Sequence, residues 1–442
     1  MMIKKYTLRK SKADLNSTAG NHLCGLVLGG LPEHYIPENF QPRRSDAITD
    51  RGILLAQIGL HCNARTDFND IDLYRGDTLF MNAFGLKALP SEPVFRTRFD
   101  DMPADRTHAA LRRLNLGLLR RRTFGRIDAE GLALVPVDMD VSPFDNSGSR
   151  KQGVSFTYKG HDGFAPMFAY VGTQGHMLDC ELRPGKQHCQ SGTPEFIARC
   201  VAALEGLGLG GQCLHRLDSG NDAAENIDRF GKDYFIVKRN LRKECLEQWL
   251  ALARRVGEKA ESRDGKNVYT GFAGHLHPGG DESRPCVPVA FEVVERLIDR
   301  SGHALLIPEI EVNTYWTNLP CRAETVVALY HDHGTSEQFH SELKSDLDVE
   351  RLPSGKLCAN RIILLCAMVA FNVLRTLGQE ALRHAHLAPQ RIKVERWRMK
   401  SILQNLVYCA CRIIRHAGQT VIDFGRHCPW SDVLYACARA FA

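Results

Sequence analysis

The chain reads as an α/β protein: a mixed sheet with helices, interrupted by a β-rich insertion and preceded by a helical N-terminal module. Three observations predict this. Up to about residue 125 apolar residues recur at three- and four-residue spacing, the mark of amphipathic helices. From Leu132 on, short apolar runs and helical stretches follow the order strand–strand–strand–helix–strand–helix–strand. Between about Leu241 and Pro320 strand-like pieces crowd together, and the helical pattern resumes at Val326.

Taken in order, "DAITDRGILLAQIGLHCN" and "RTHAALRRLNLGLLRRR" carry the helical period, and the Pro-rich "ALPSEPVFRTRFDDMPADR" between them reads as a connection. Next, "LALVPVDMDVSPF" is a buried strand ending in carboxylates, "GVSFTYKG" a second strand, and "FAPMFAYVGTQGHMLDCELRPG" a third strand with a turn. The first three strands are expected to form a meander. "GTPEFIARCVAALEGLGLG" has a Thr/Glu start and a Gly stop and reads as a helix. "QCLHRLDSGND" is a strand with an acid at its carboxyl end, "AAENIDRFG" a short helix and "KDYFIVKRN" a strand. In the insertion, a helix in "KECLEQWLALARRVGEKA" precedes the strand-like "VPVAFEVVERL", "HALLIPEIEV" and "YWTNL".

The composition suits a folded protein of two or three domains: 442 residues, 44% hydrophobic and 24% charged. The opening "MMIKKYTLRKSKADLNSTAG" is basic but has no apolar stretch after it, unlike a signal peptide. The longest apolar run, "IILLCAMVAFNVL", contains Asn372 and is too short to span a bilayer, so it reads as a buried helix and no membrane partner is expected. The fifteen cysteines are scattered without any CxxC, which argues against a zinc finger or ribbon and for reduced thiols. The net charge of +6 is modest, but "LRRLNLGLLRRRTFGR" and "QRIKVERWRMK" concentrate it. Such clusters neutralise phosphates, or are simply solvated helix faces.

Asp138 and Asp140 end the first strand and Asp218 ends the fourth. Acids at the carboxyl ends of neighbouring strands converge at one sheet edge, where open α/β folds bind ligands. Two Asp and a Glu can hold two Mg²⁺ ions roughly 4 Å apart for in-line attack on a phosphodiester. Strand-end aspartates also serve as ordinary turn residues. The Glu is sought in "LYHDHGTSEQFHSELKSDLD", Leu329–Asp348. On a continuous helix Tyr330, His333, Glu337 and Lys344 fall within an arc of about 60°, whereas Glu342 lies about 120° from Tyr330. That geometry selects Glu337 over Glu342.

The spacing Tyr330-x2-His333-x3-Glu337-x6-Lys344 resembles the Y-R-E-K signature of bacterial insertion-sequence transposases, DDE enzymes on an RNase H-like (retroviral-integrase) fold. "VDMDVS" resembles the strand that carries their first acid, which selects Asp140, with Ser142 where Thr is usual. "HRLDSGND" is similar to the second-acid motif and points to Asp218. "YWTNLP" resembles the Thr-Asn-Leu element before the last catalytic helix, and "PSEPVFRTRFD" more loosely a linker in the N-terminal module. The resemblance runs from about residue 75 to the C-terminus. It implies a β-rich insertion between the second Asp and the Glu. By subtraction 119 residues separate Asp218 from Glu337 and 78 separate Asp140 from Asp218, so the excess falls where the insertion was read independently.

The resemblance further implies that Asp140, Asp218 and Glu337 hold two Mg²⁺ ions, for which Mn²⁺ can substitute. Tyr330, His333 and Lys344 would position phosphates near the cut. Double-stranded DNA, both transposon ends and target, would be the partner of a homodimer in a bacterial, nucleoid-associated cytoplasmic setting. Arg120, Arg121, Arg122, Arg396, Arg398 and Lys400 are the further candidates for phosphate contact. His333 stands where the family usually has Arg, which predicts a weaker or pH-dependent phosphate grip. The expected domains are 1–125 (helical, DNA-end-binding), 126–240 and 323–385 (the two parts of the catalytic core), 241–322 (the insertion) and 386–442 (a basic, dimerising segment). Two rivals remain: a His/Asp phosphohydrolase using His331, Asp332 and His333, and a non-catalytic DNA binder on the same fold. His275 and His277 in "GHLHPGGDE" read as part of an insertion loop.

Overall fold

The structure, a computed structural model, describes residues 7–42, 48–260, 264–299 and 303–442. The first residues of the basic opening stretch and of the 46–63 helical reading lie outside them. The chain divides into two compact units, residues 103–372 and residues 1–102 with 373–442. The five segments expected from the sequence divide it differently.

The larger unit is built on strands β1 (Leu132–Val141), β2 (Met167–Val171), β3 (His176–Glu181), β4 (Cys213–Leu217) and β5 (Tyr234–Lys238). They lie in the order β3-β2-β1-β4-β5. β1, β2 and β3 form an antiparallel meander, while β4 runs parallel to β1 and β5 parallel to β4. The parallel strands read as nearly unbroken apolar runs because both faces of the sheet are covered. Alternation sends Val135, Val137 and Met139 to one face, where they pack with Phe196, Ile197, Cys200 and Leu204 of helix α1 (Thr193–Gly206). Leu134, Leu214 and Ile236 go to the other face, against Val326, Val327 and Leu329 of helix α2 (Ala323–His331). Asp138 and Asp140 share the parity of Leu134, and Arg216 and Asp218 that of Leu214. One face, at the carboxyl ends of two parallel strands, therefore receives all four charges.

The insertion does not form a separate layer. Strands β6 (Glu258–Ala260), β7 (Lys266–Leu276), β8 (Val287–Ile298) and β9 (Ala304–Thr317) pair antiparallel in succession, and β9 pairs antiparallel with β5. They continue the same sheet, which has ten strands among the described residues, Ile127–Ala129 included.

Three local expectations are corrected. "GVSFTYKG" supplies only the two-residue strand Ser155–Phe156 of a small separate sheet, whereas "FAPMFAYVGTQGHMLDCELRPG" contains both later strands of the meander. "HALLIPEIEV" and "YWTNL" belong to the single strand β9, because Asn313 and Thr314 carry the pairing across the polar gap between them. The Pro-rich connection contains the helix Glu92–Asp101. Pro93 sits in its first turn, where a missing N–H is harmless, and Arg98 anchors it by donating to the buried Asp50 carboxylate.

The apolar run lies in the helix Leu357–Arg383, which is long and apolar enough to cross a membrane but has 83% of its apolar window buried inside the protein. Asn372 explains its polar interruption. Its side-chain amide accepts from Met177 N (2.8 Å) and donates to Met177 O (2.7 Å), and Asn115 donates to the same carbonyl (3.0 Å). Met177 lies on β3, a strand at the end of the sheet, so these amides satisfy backbone groups that an edge leaves unpaired. In the smaller unit Leu15–Asn16, Cys411–His416 and Gln419–Phe424 form a three-stranded sheet, accompanied by helices that include Asp50–His61 and Ser431–Phe441.

Candidate active site

The carboxyl ends of β1 and β4 set up two different environments for carboxylates. Asp138, one pleat inside β1, is buried and lies opposite Arg216 across the parallel pair. Arg216 grips it with two donors, Nε at 2.6 Å and Nη2 at 2.8 Å, and sends Nη1 to Leu329 O at 2.7 Å. His333 Nδ1 donates to the same carboxylate at 2.8 Å. Burial pushes the Asp138 carboxyl up, but the Arg216 and His333 charges and hydrogen bonds outweigh it and leave it below the usual range. This is a structural clamp joining β1, β4 and the end of α2.

Asp140 and Asp218 lie further out and are half-buried. Asp218 follows β4 directly, its Oδ1 accepting from Asn221 Nδ2 at 2.6 Å. Burial and then the negative charge of Asp140 raise its carboxyl above the ordinary value. Among the described residues neither carboxylate has an arginine partner such as Asp138 has, and the Asp140 charge makes Asp218 harder to ionise. A pair held in that state attracts a cation.

Tyr330 belongs to the same neighbourhood, since burial and the Asp218 and Asp140 charges push its phenol up. Lys344 Nζ donates to Pro143 O at 2.6 Å, just beyond β1, and burial lowers its affinity for a proton while Glu350 and Asp140 oppose that shift. His340 is buried, with Nε2 3.6 Å from Asp140 Oδ2 and, among the described residues, no hydrogen-bond partner on that nitrogen.

A family model described as transposase DDE domain group 1 matches residues 40–442. The chain belongs to that family. Among solved structures, a cryo-EM structure of a piggyBac transposase synaptic complex with hairpin DNA aligns with 90% of this chain and 82% of that one, at 9% identity and a TM-score of 0.41. That likeness is too low to carry an argument. No curated protein matches the sequence.

DDE transposase domains generally use divalent metal ions. In this transposase Asp140 and Asp218 suit one such ion, because a cation would remove the penalty on the Asp218 charge. Mg²⁺ is commonly held by one or two carboxylates, with water and phosphate oxygens completing its shell. Among the described residues no three His, Cys, Asp or Glu side chains come together to hold a metal, so Glu337 does not close a three-acid cluster here.

The reason is a departure from the single helix on which the 60° stripe was drawn. α2 ends at His331, a 3₁₀ turn covers Asp332–Thr335, helix α3 runs over Ser336–Ser341, and a π turn covers Glu342–Asp346. Each change of winding rotates the side chains beyond it about the helix axis. Glu337 is exposed and Glu342 buried, while His333 turns inward to Asp138 instead of presenting an open cation. His331 and His333 also diverge: His331 Nε2 lies 3.4 Å from Glu292 Oε2. The His331–Asp332–His333 metal set is therefore not assembled. His277 Nδ1 lies 2.8 Å from Arg284 O, within the insertion.

Arg120 and Arg121 are exposed and Arg122 half-buried at the end of the helix Ala104–Leu119. Arg398 and Lys400 are exposed and Arg396 half-buried in the smaller unit. Sequence reasoning missed Arg216, His340 and Tyr158. The signal for Arg216 was present: it stands two before Asp218, as Asp138 stands two before Asp140, so parity alone pairs them. His340 carried no such signal.

Proposed function

We propose that this transposase cuts DNA at the ends of a bacterial insertion sequence and joins the freed ends to target DNA, with Asp140 and Asp218 as the acids at its centre. The observation that carries the reading is the pairing of these half-buried carboxylates at the ends of parallel strands, where burial and the Asp140 charge raise the Asp218 carboxyl. Asp140 and Asp218 would hold the divalent ion, Mg²⁺ or Mn²⁺. When bound, that ion supplies Lewis-acid stabilisation of the phosphorane-like transition state and makes an oxygen nucleophile available at neutral pH.

The chain's own residues do the remaining work. Asp138, locked by Arg216 and His333, holds the end of β1 in register so that Asp140 projects beside Asp218. Lys344 and Tyr330 border the pair and would position phosphate oxygens by charge and hydrogen bonding. Glu337 is proposed as the third acid on the strength of the Y-R-E-K resemblance, and a second ion would depend on it. Arg120, Arg121, Arg122, Arg396, Arg398 and Lys400 would add sequence-independent phosphate contacts along double-stranded DNA, in a homodimer acting at the nucleoid of a bacterial cytoplasm.

The test is cleavage and strand transfer with the element's own ends, comparing wild type with Asp218→Asn. Activity that requires Mg²⁺ or Mn²⁺ and disappears in the variant, with DNA binding retained, supports the reading. Cleavage that survives Asp218→Asn refutes it, and binding without cleavage in either protein identifies a DNA binder.

A further inference from the structure

The hairpin between the strands Ser155–Phe156 and Asp162–Phe164 has no role in the metal chemistry of the acid pair, yet it borders that pair. Its tip is rigid: Thr157 N and Oγ1 both donate to His161 O at 2.9 Å, and Gly160 closes the turn at φ +84°, where a side chain would be strained. Thr157 points inward and is buried, so the residues on either side of it turn outward. Those residues are Phe156 and Tyr158, 67% and 65% exposed.

Tyr158 is exposed but not free to swing. Its hydroxyl donates to Val141 O at 2.9 Å, the residue after Asp140, which fixes the ring beside the acids. Burial of the phenol oxygen, followed by the charges of Asp140 and Asp218, pushes its ionisation up, so the ring stays neutral beside them. Lys159 Nζ lies 5.5 Å from the ring centroid, and its positive charge is felt at Lys344. An exposed aromatic ring with Lys159 over one face, set beside Asp140 and Asp218, matches a nucleotide: base or sugar on the ring's other face, phosphate on the ammonium group.

We propose that Tyr158 stacks on the nucleotide adjoining the scissile phosphate, with Lys159 contacting the backbone of the same strand. The occupant is a DNA strand locally freed from its duplex, because only an unpaired base offers a π-face to the ring. This rests on the reading of Asp140 and Asp218 as the cutting site. It adds a substrate contact from a segment that the expected signature does not include.

The experiment uses the full-length chain and a DNA end of the element carrying 5-iodouracil next to the cleavage position, with Ca²⁺ as the divalent ion so that the complex persists. Irradiation is expected to cross-link the Tyr158 peptide, identified by mass spectrometry. In Mg²⁺, Tyr158→Ala is expected to lower kcat/KM for cleavage roughly tenfold to a hundredfold, the range for losing one aromatic–base stack. Tyr158→Phe keeps the ring but loses the bond to Val141 O that fixes it, and is expected to retain more activity than Tyr158→Ala. Tyr158 is exposed, so the melting temperature of either variant should match that of wild type.

A cross-link that maps elsewhere overturns the proposal. So does a Tyr158→Ala variant as active as wild type, or a Tyr158→Phe variant as defective as Tyr158→Ala. Asp218→Asn separates the two ideas. If it abolishes cleavage while Tyr158→Ala does nothing, the stacking proposal alone fails. If Asp218→Asn still cleaves, the reading of the site beneath it fails first.

Discussion

Arg216→Met would remove the guanidinium from a buried carboxylate and leave everything else in place. Asp138 and Arg216 are 4% and 2% exposed and share two hydrogen bonds, so neither charge has water to fall back on. Breaking such a pair from one side costs about 3–5 kcal/mol, because the remaining charge is stranded. Leu329 O also loses its donor, adding about 1 kcal/mol. At about 2–4 °C per kcal/mol for a domain of this size, the melting temperature should fall by about 10–20 °C. With His333 left to hold Asp138, the stranded carboxyl should take up a proton readily. In wild type its affinity for protons is depressed, so the pair's stabilisation is present above the ordinary Asp pKa and is lost as pH falls towards the folded value. In the variant burial dominates and raises that affinity, so its deficit against wild type should shrink between pH 7 and pH 5. Adding Asp138→Asn removes the stranded charge yet keeps an acceptor for His333, and should recover about 2 kcal/mol. Urea unfolding of wild type, single and double variants at both pH values measures all of this. An Arg216→Met variant within 1 kcal/mol of wild type, or a double variant no more stable than the single one, would refute the reasoning.

Asp218 carries the opposite sign. The folded Asp218 carboxyl is raised, so its contribution is favourable below the ordinary Asp pKa and lost as pH rises through the folded value. Asp218→Asn should therefore stabilise the protein at pH 7, with the gain gone below the ordinary Asp pKa, as thermal melts would show. Mg²⁺ or Mn²⁺ at a hundred times its dissociation constant should stabilise wild type by about 2.7 kcal/mol, and chelation should reverse this. Calorimetry showing the same stabilisation in the Asp140→Asn, Asp218→Asn double variant would place the ion elsewhere. Glu337 is exposed, so Glu337→Gln should leave the melting temperature unchanged while abolishing strand transfer; Glu342 is buried, so Glu342→Ala should cost about 1–3 kcal/mol. Transfer assays that show Glu337→Gln fully active would return attention to Glu342. For His340, Gln keeps a donor near the position of Nε2 and Phe keeps only the ring packing against Phe168 and Tyr170. If Nε2 steadies Asp140, kcat should fall in His340→Phe more than in His340→Gln at similar stability; equal kcat values would assign the residue to packing alone.

Local physics made much of this protein legible in the sequence. Apolar runs marked β1, β4 and β5, and the Gly stop bounded α1, because burial on both faces and chain entropy act within a few residues. The placement of Asp140 and Asp218 at neighbouring strand ends was legible for the same reason: a strand's end is a local property, and parallel strands bring like ends together. What happens between segments was not local. That the insertion lengthens the same sheet depends on β9 finding the free edge of β5, a pairing set by tertiary contact. "GVSFTYKG" has the composition of a core strand, but the meander closes through Met167–Val171 and leaves Tyr158 outside, beside the acids. The division of labour between Asp138 and Asp140 was equally hidden. Two aspartates two residues apart look alike in sequence, and only the guanidinium across the strand makes one a clamp and leaves the other open. The helix around Glu337 shows the limit most clearly. Its stripe was drawn for one continuous α-helix, whereas packing against the sheet divides the segment into α, 3₁₀ and π turns, so the direction of each side chain was decided by tertiary structure.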